Sequence, residues 1–529
     1  MEFAERVRSN QTQLTSALKP QYDFIVCGSG SSGSVVARRL AENADVGVLL
    51  LEVGGSDDVP EVMEPGKWIM NLGSERDWGF VATPNPRLNG RAIALGMGRV
   101  LGGGSSINAM AWARGHRNDW DLFAVEAGDN SWNYESTLAT YRRIEDWHGI
   151  PDPERRGRGG PVFVQPAPDP HPMSLAMLTG AHSCGLRRFD DANGCMMEGE
   201  GGVALHNLLI RDGHRLSVFR AYVYPVMDRP NLTVLSRARV QRVVFEGKRV
   251  AGVEVLHGGE VRRIRAGLET ILSMGAINTP ALLMQSGVGE ESELRRLGVP
   301  VVQNLPGVGK NFQDHVLVAS TWECEEPLTP RNNGGEVTVF WKSDASLATP
   351  NVQLLQVQFP FVTAENAHYE VPAASWSLCA GLVRPGSHGQ IRLSGPNPLD
   401  PIHIDANTLD DPADLKTLVK AVELSREIGN SDALRSFAKR EVMPGPLKGC
   451  ELENFIRDGI ATIHHQSCTA KMGRDSMSVV DHQLRVYGIE NLRIADACIM
   501  PRVTTGNTMA PCVVIGERAA EALRTQHQL

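Results

Sequence analysis

Asp23-Phe24-Ile25-Val26-Cys27-Gly28-Ser29-Gly30-Ser31-Ser32-Gly33 opens the stretch that decides the fold, and the stretch closes at Glu52. Phe24–Cys27 is a short apolar run, as a buried parallel strand requires. Gly28, Gly30 and Gly33 follow as a GxGxxG turn. From Ser34 to Asn43, Val35, Val36 and Leu40 recur at helical spacing, with two arginines on the other face. A second apolar run, Val46–Leu51, leads into Glu52. Strand, glycine turn, helix and strand make one βαβ unit of about 30 residues.

Each part of that unit has a physical task. Gly28 permits the tight turn, Gly30 lets the backbone approach a pyrophosphate, and Gly33 lets the helix lie close to the strand. The helix N-terminus offers free N–H groups and a partial positive charge to phosphates. Glu52 stands 24 positions after Gly28, where a carboxylate can accept from both ribose hydroxyls and repels a 2′-phosphate, so NADP is disfavoured. The unit by itself leaves FAD and NAD open. A second glycine cluster, Gly98-Arg99-Val100-Leu101-Gly102-Gly103-Gly104-Ser105-Ser106-Ile107-Asn108, suits a loop pressed against a flat ring or a phosphate. The apolar Ala109-Met110-Ala111-Trp112 that follows argues against a merely flexible surface loop.

Outward from this unit the chain runs to 529 residues, too long for one ordinary core. Its 42% hydrophobic and 22% charged residues are those of a soluble globular protein. A net charge of −8 argues against a nucleic-acid partner. No apolar stretch approaches the length of a membrane span, and residues 1–22 lack a signal-peptide core, which together read as a cytoplasmic protein. The nine cysteines are scattered without a CxxC pair, so neither a disulfide scaffold nor a metal site is expected.

Strand-like runs at Asn231–Val234, Val240–Phe245 and Val250–Val255 predict a small antiparallel element. Glu269–Ser273 reads as a buried strand with a helix from Thr279. Farther on, Val337–Trp341, Asn351–Val357 and Gln390–Ser394 are strands in series, followed by a helix over Pro412–Ile428. Leu492–Asp496 and a closing helix, Ala510–Arg524, return to the α/β pattern. The fold class expected is α/β, α+β overall: a Rossmann-like dinucleotide-binding domain with an interleaved α+β substrate domain on an antiparallel sheet. The cofactor domain takes 20–155, 221–315 and 461–529; the substrate domain takes 156–220 and 316–460.

On these features the sequence resembles the glucose–methanol–choline (GMC) oxidoreductase family from Asp23 to about Leu523. Four segments carry the likeness: the Gly28–Glu52 unit, the Gly98–Asn108 cluster, Gly275-Ala276-Ile277-Asn278-Thr279-Pro280-Ala281-Leu282-Leu283-Met284-Gln285-Ser286-Gly287-Val288-Gly289, and Pro306-Gly307-Val308-Gly309-Lys310-Asn311-Phe312-Gln313-Asp314-His315. The resemblance implies FAD as hydride acceptor and an alcohol as donor. It implies FAD contacts at Gly28, Gly30, Ser32, Gly33, Glu52, Arg99, Gly103, Asn108, Ala109, Met110 and Ala111, with Val240 at the adenine. Asp496, Ala497, Asn507, Thr508 and Met509 should close over the pyrophosphate and the isoalloxazine. Ile107 stands where some relatives carry a flavin-linking histidine; isoleucine cannot form that bond, so the FAD is expected to be non-covalent.

Thr462-Ile463-His464-His465-Gln466-Ser467-Cys468-Thr469 is the expected centre of chemistry. An alcohol loses hydride only as its hydroxyl loses a proton, and a neutral imidazole is suited to take it. The family motif places the base at His465 and puts His464 in the slot usually held by an aromatic residue against the flavin. Asn507 matches the partner position; it cannot be a base, but it can donate a hydrogen bond to the substrate oxygen. Cys468 lacks a dedicated base and reads as structural. Leu317 occupies the place where choline-specific members carry a glutamate, which argues for an uncharged primary alcohol of benzylic, furanic or pyridine type. Electrons would pass to O2, giving an oxidase, or to a quinone or other carrier, giving a dehydrogenase. A lyase that retains FAD, as hydroxynitrile lyases of the family do, is the alternative from another class; the presence of both His465 and Asn507 argues against an inactive flavin binder. A homo-oligomer is compatible with these features.

Overall fold

Phe24, Ile25, Val26 and Cys27 are completely buried because their strand, Gln21–Cys27, has a neighbour on each edge and helices on its faces. Val48–Leu51 pairs with it in parallel on one edge, and the end of Glu260–Leu272 pairs in parallel on the other. The computed structural model describes residues 2–529. It is a mixed α/β structure built on two seven-stranded sheets.

The first sheet runs in the order Leu232–Leu235, Val48–Leu51, Gln21–Cys27, Glu260–Leu272, Arg249–His257, Arg239–Glu246. Glu260–Leu272 belongs to two patterns at once. Its first half pairs antiparallel with Arg249–His257, and its last residues pair in parallel with Leu492–Ile494. The antiparallel element therefore contains three strands, and it excludes the 231–234 run. That run, observed as Leu232–Leu235, is the parallel edge beside Val48–Leu51. A run of only four residues carries no periodicity that separates the two roles. Helices Ser31–Leu40 and Met509–His527 pack against one another beside this sheet. The first helix begins three residues before the expected Ser34, directly on the glycine turn.

The second sheet is antiparallel throughout: Arg440–Met443, Val316–Glu323, Ser375–Leu382, Val352–Val357, Val337–Trp341, Gly202–Leu205. Helices Pro412–Gly429 and Pro172–Ser183 cover it. The expected Gln390–Ser394 strand lies elsewhere. As Gly389–Leu393 it forms a separate three-stranded sheet with Lys310–Phe312 and Ile402–Asp405. No helix among the described residues is long and apolar enough to cross a membrane.

One edge of the second sheet creates the site. The short strand Ala461–Thr462 adds two antiparallel rungs to Leu317 and Val316. The ladder then re-forms as a bridge between Gln313 and Ser467. Between these rungs, 463–466 stand opposite 314–315, so four residues face two. The surplus chain must bulge, and His464 at φ 63° and Cys468 at φ 73° take up the left-handed turns this needs. The bulge presents His464 and His465 together.

Candidate active site

A continuous cleft joins the GxGxxG turn to the 463–466 bulge. Of the residues read from the sequence, Gly28, Gly30, Ser32, Glu52, Gly103, Asn108, Ala109, Ala111, Val240, Asp496, Ala497, Thr508 and Met509 line it, together with His464, His465 and Asn507.

The glycines divide into two kinds. A Cβ on Gly33 would stand 1.9 Å from the Gly28 carbonyl oxygen, and one on Gly28 would stand 2.3 Å from the Ser273 carbonyl oxygen. These two let helix and strands meet. Gly30 has nothing within 4 Å of a Cβ, so its bare backbone faces the cleft. Gly33 is accordingly a packing residue that does not line the cleft.

Two further residues of that set, Arg99 and Met110, do not line the cleft. Arg99 is exposed and lies over the Trp78 ring at 5.5 Å. Its backbone is pressed against Gly54, where a Cβ would stand 2.2 Å away, and the residue is not among those that line the cleft. The arginine that lines the cleft is Arg239, next to Val240. Met110 is buried at φ 60°. Its N–H donates to Asn108 Oδ1 at 2.9 Å and its carbonyl accepts from Leu209 N–H at 3.0 Å, so its side chain serves the core.

The acids are more constrained than their sequence positions suggest. Glu52 Oε2 accepts from Ser29 N–H at 3.1 Å and Ser29 Oγ at 2.7 Å, while Oε1 accepts from Gly54 N–H at 2.9 Å. A carboxylate offers about four acceptor sites, so Glu52 has capacity for one strong bond to a ribose and not for a pair. Burial raises its pKa. Asp496 Oδ2 accepts from Gly275 N–H at 2.9 Å and Thr279 Oγ at 2.6 Å, and Oδ1 accepts from Cys498 N–H at 2.9 Å. It caps helix Gly275–Gln285, which therefore begins four residues before the expected Thr279. Ser32 Oγ donates to the Cys512 carbonyl at 2.6 Å and ties helix Ser31–Leu40 to helix Met509–His527.

These features fit FAD. A long cleft runs past bare backbone at Gly30 and the second glycine cluster. Asn278 and Ser273 line it, and Asn278 Nδ2 and Ser273 Oγ have no partner within the protein. Ile107 lines the cleft with no nucleophilic atom to offer.

At the other end, His465 Nε2 and Asn507 Nδ2 are 3.3 Å apart. His465 is buried, and desolvation, then His315 and His464, push its pKa well below the usual 6.5. The imidazole is neutral at pH 7. Asn507 Oδ1 accepts from Gln353 Nε2 at 3.3 Å, which turns its Nδ2 toward His465. The Asp314 carboxylate holds the bulge: it accepts from His465 N–H at 2.8 Å, Thr462 Oγ at 2.5 Å and Gln466 Nε2 at 3.1 Å. Burial raises Asp314 to about 7. His464 lines the cleft, and its Nδ1 accepts from Gly96 N–H at 3.1 Å, which fixes the ring. Cys468 is buried and its thiol is pushed up to about 12, so it has no nucleophilic form at neutral pH.

Sequence reasoning passed over two residues here. Arg215 is buried, with Nε donating to the Val62 carbonyl at 2.7 Å and Nη1 donating to Asn108 Oδ1 at 2.8 Å. With no acid beside it, desolvation lowers it to about 9. His206 lines the cleft with its ring neutral, pulled down to about 4 by burial. Neither lies in a segment with a glycine or paired-histidine signature to mark it.

A dinucleotide cradle and an imidazole–amide pair in one cleft define an oxidoreductase that works through a bound redox dinucleotide. The comparisons narrow the class. The two GMC oxidoreductase family models, N-terminal and C-terminal, match residues 22–317 and 385–516. The oxygen-dependent choline dehydrogenase of Paraburkholderia xenovorans is 35% identical over 96% of this chain and 95% of its own length. The mitochondrial choline dehydrogenase of Mus musculus is 35% identical over 97% and 91%. The crystal structure of pyridoxine 4-oxidase from Mesorbium loti superposes with a TM-score of 0.90 at 32% identity, covering 96% of this chain and 99% of that one. The chain belongs to the GMC oxidoreductase family.

Proposed function

We propose that this protein holds FAD non-covalently and oxidises an uncharged primary alcohol to the aldehyde, passing electrons to O2 to give H2O2. The observation that carries the reading is the His465–Asn507 pair at one end of a cleft whose other end is the glycine cradle. When bound, FAD supplies the two-electron acceptor for a hydride from the carbinol carbon. The protein's part is the proton. Asn507 Nδ2 donates to the alcohol oxygen, and His465 Nε2 takes the hydroxyl proton, so that O–H breaks and N–H forms while the C=O bond is made. Segments 20–155, 221–315 and 461–529 serve the cofactor in this reading, and 156–220 with 316–460 serve the substrate.

The substrate class follows from charge. Among the described residues, the only carboxylates lining the cleft are Glu52 and Asp496, and both are committed to backbone N–H groups of turns. Leu317 lines the cleft where choline users carry an acid, among Leu355, Val357, Phe359 and Phe361. A quaternary ammonium would find no counter-charge there. Benzylic, furanic and pyridine-type alcohols suit these apolar walls, and pyridoxine, in the name of one structural neighbour, is such an alcohol.

A dehydrogenase that passes electrons to a quinone or other carrier is the second reading, favoured by the dehydrogenases at 35% identity. One experiment tests both. The holoenzyme is mixed anaerobically with benzyl alcohol, pyridoxine or choline, flavin bleaching is recorded, and air is admitted. Rapid reoxidation with stoichiometric peroxide supports the oxidase. Reoxidation only by an added quinone supports the dehydrogenase. Bleaching by choline alone refutes the substrate class.

A further inference from the structure

The catalytic bulge lies against a second buried histidine. His315 Nδ1 and His465 Nδ1 are 2.9 Å apart, and the rings meet edge to face with centroids at 5.0 Å. Two nitrogens at this distance share one proton: one ring must donate and the other accept. The rest of the network decides which. Gln353 Nε2 donates to Thr338 Oγ at 3.2 Å and to Asn507 Oδ1 at 3.3 Å. Asn507 therefore turns its N–H toward His465 Nε2, which must be the lone pair. The proton of His465 is left on Nδ1, facing His315. The Val383 backbone also acts on His315 as an acceptor that favours an N–H on the ring, and with Nδ1 taken by His465 the nitrogen left to carry it is Nε2, which has no full hydrogen bond. The opposite arrangement would set two N–H donors against each other between His465 and Asn507.

We propose that His315 is a positioning residue that accepts the Nδ1–H of His465 and so holds the base in the tautomer whose Nε2 lone pair faces the alcohol. This rests on the reading of His465 as the base. The contact also acts as the proton moves. When His465 Nε2 gains the hydroxyl proton, the ring becomes an imidazolium and its Nδ1–H bond to neutral His315 becomes charge-assisted, and stronger. That gain exists only as charge develops, so it lowers the barrier and not the ground state. Burial makes His465 a weak base, and a charged His315 would weaken it further; a neutral His315 that accepts at Nδ1 works the other way. No nearby anion takes this part. The Asp314 carboxylate is occupied by Thr462, Gln466 and the His465 backbone N–H. His315 is buried and held down to about 3, with Asp119 and Arg384 as the charges acting on it. It stays neutral, and with its own proton on Nε2 it accepts at Nδ1. Because its Nε2 has neither solvent nor a full hydrogen bond, the proton has no onward route through it and stays on His465.

The test uses the FAD-loaded unaltered enzyme and three variants: His315→Leu, His315→Asn and His465→Ala. Asparagine Oδ1 occupies nearly the place of histidine Nδ1, so it restores the acceptor; leucine fills the volume without one. Orienting partners of this kind are worth ~10–100-fold. His315→Leu should slow anaerobic flavin reduction by about that factor, with substrate Kd changed less than about threefold, and His315→Asn should recover most of the rate. Histidine-selective 15N NMR of the unaltered enzyme, with His465→Ala used to assign the signal, should show His465 protonated at Nδ1. Leucine and asparagine variants with equal rates, a loss confined to Kd, or a His465 proton on Nε2 would overturn the proposal. A normal rate in His465→Ala would instead overturn the base assignment beneath it. The NMR result stands even if His315→Leu fails to fold.

Discussion

Replacing His465 by alanine removes the lone pair that receives the hydroxyl proton and leaves the rest of the cleft in place. The size of the effect follows from the geometry. His465 Nε2 and Asn507 Nδ2 stand 3.3 Å apart, so one alcohol oxygen can hydrogen-bond to both without rearrangement. A base so placed contributes ~10²–10⁴-fold, or about 2.7–5.5 kcal/mol at ~1.36 kcal/mol per decade. Asn507→Ala removes one neutral donor and not the proton acceptor, and should cost on the order of 10–10³-fold. His464→Ala releases the Gly96 N–H and should mainly alter substrate affinity and flavin packing. None of the three touches the glycine cradle, so the ratio of flavin to protein absorbance should stay that of the unaltered enzyme. The assay is anaerobic stopped-flow at saturating benzyl alcohol, following loss of flavin absorbance. If His464→Ala abolishes reduction while His465→Ala proceeds at the normal rate, the two histidines are exchanged. If neither matters, the proton acceptor lies elsewhere and the reading of the bulge is wrong.

Gly30→Ala and Gly33→Ala should separate approach from packing: the first places a methyl in open cleft and should give a folded protein with weakened FAD retention, while the second meets the Gly28 carbonyl at 1.9 Å and should lower the melting temperature even of apoprotein. Equal melting temperatures for the two variants would remove the distinction. Acid precipitation should release all the FAD into the supernatant, because Ile107 cannot bond it; flavin retained in the pellet would contradict this. Protonation of His465 should slow flavin reduction only on the acid side of the ordinary histidine value of 6.5, since a lowered pKa keeps it neutral to more acidic pH, and any change nearer pH 7 should follow Asp314, which is raised to about 7 and holds the bulge. An activity midpoint above pH 7 would show a different group titrating.

How far the sequence could be read depended on the range of the interactions. The Gly28–Glu52 unit is local. Its glycines, helix spacing and second strand lie within one supersecondary element, and each has its own signature. Arg99 and Arg239 show where local reading stops. They lie 140 positions apart in the chain yet both reach the Trp78 ring, and only the tertiary structure tells which one lines the cleft. Glu52 shows a second limit. Its position after the strand marked a ribose ligand, but the Ser29 and Gly54 bonds that use most of its acceptor capacity depend on how the turn closes. The catalytic bulge is the extreme case. His465 and His315 are 150 positions apart, and their contact exists because 461–467 pairs around 313–317 with unequal numbers of residues between the rungs. Side-chain periodicity reports which face of a strand a residue occupies, and it says nothing of a surplus of two residues across a ladder. A motif could therefore mark His465 as the base, while the group that fixes its tautomer needed the register of two strands. The same logic makes the register itself functional. Deleting Ile463 keeps both histidines and every hydrogen-bonding side chain of the bulge, but it shortens the surplus and turns His465 off the His315–Asn507 axis. Such a variant should bind FAD and lose the alcohol half-reaction, because the cradle is local and the base is not.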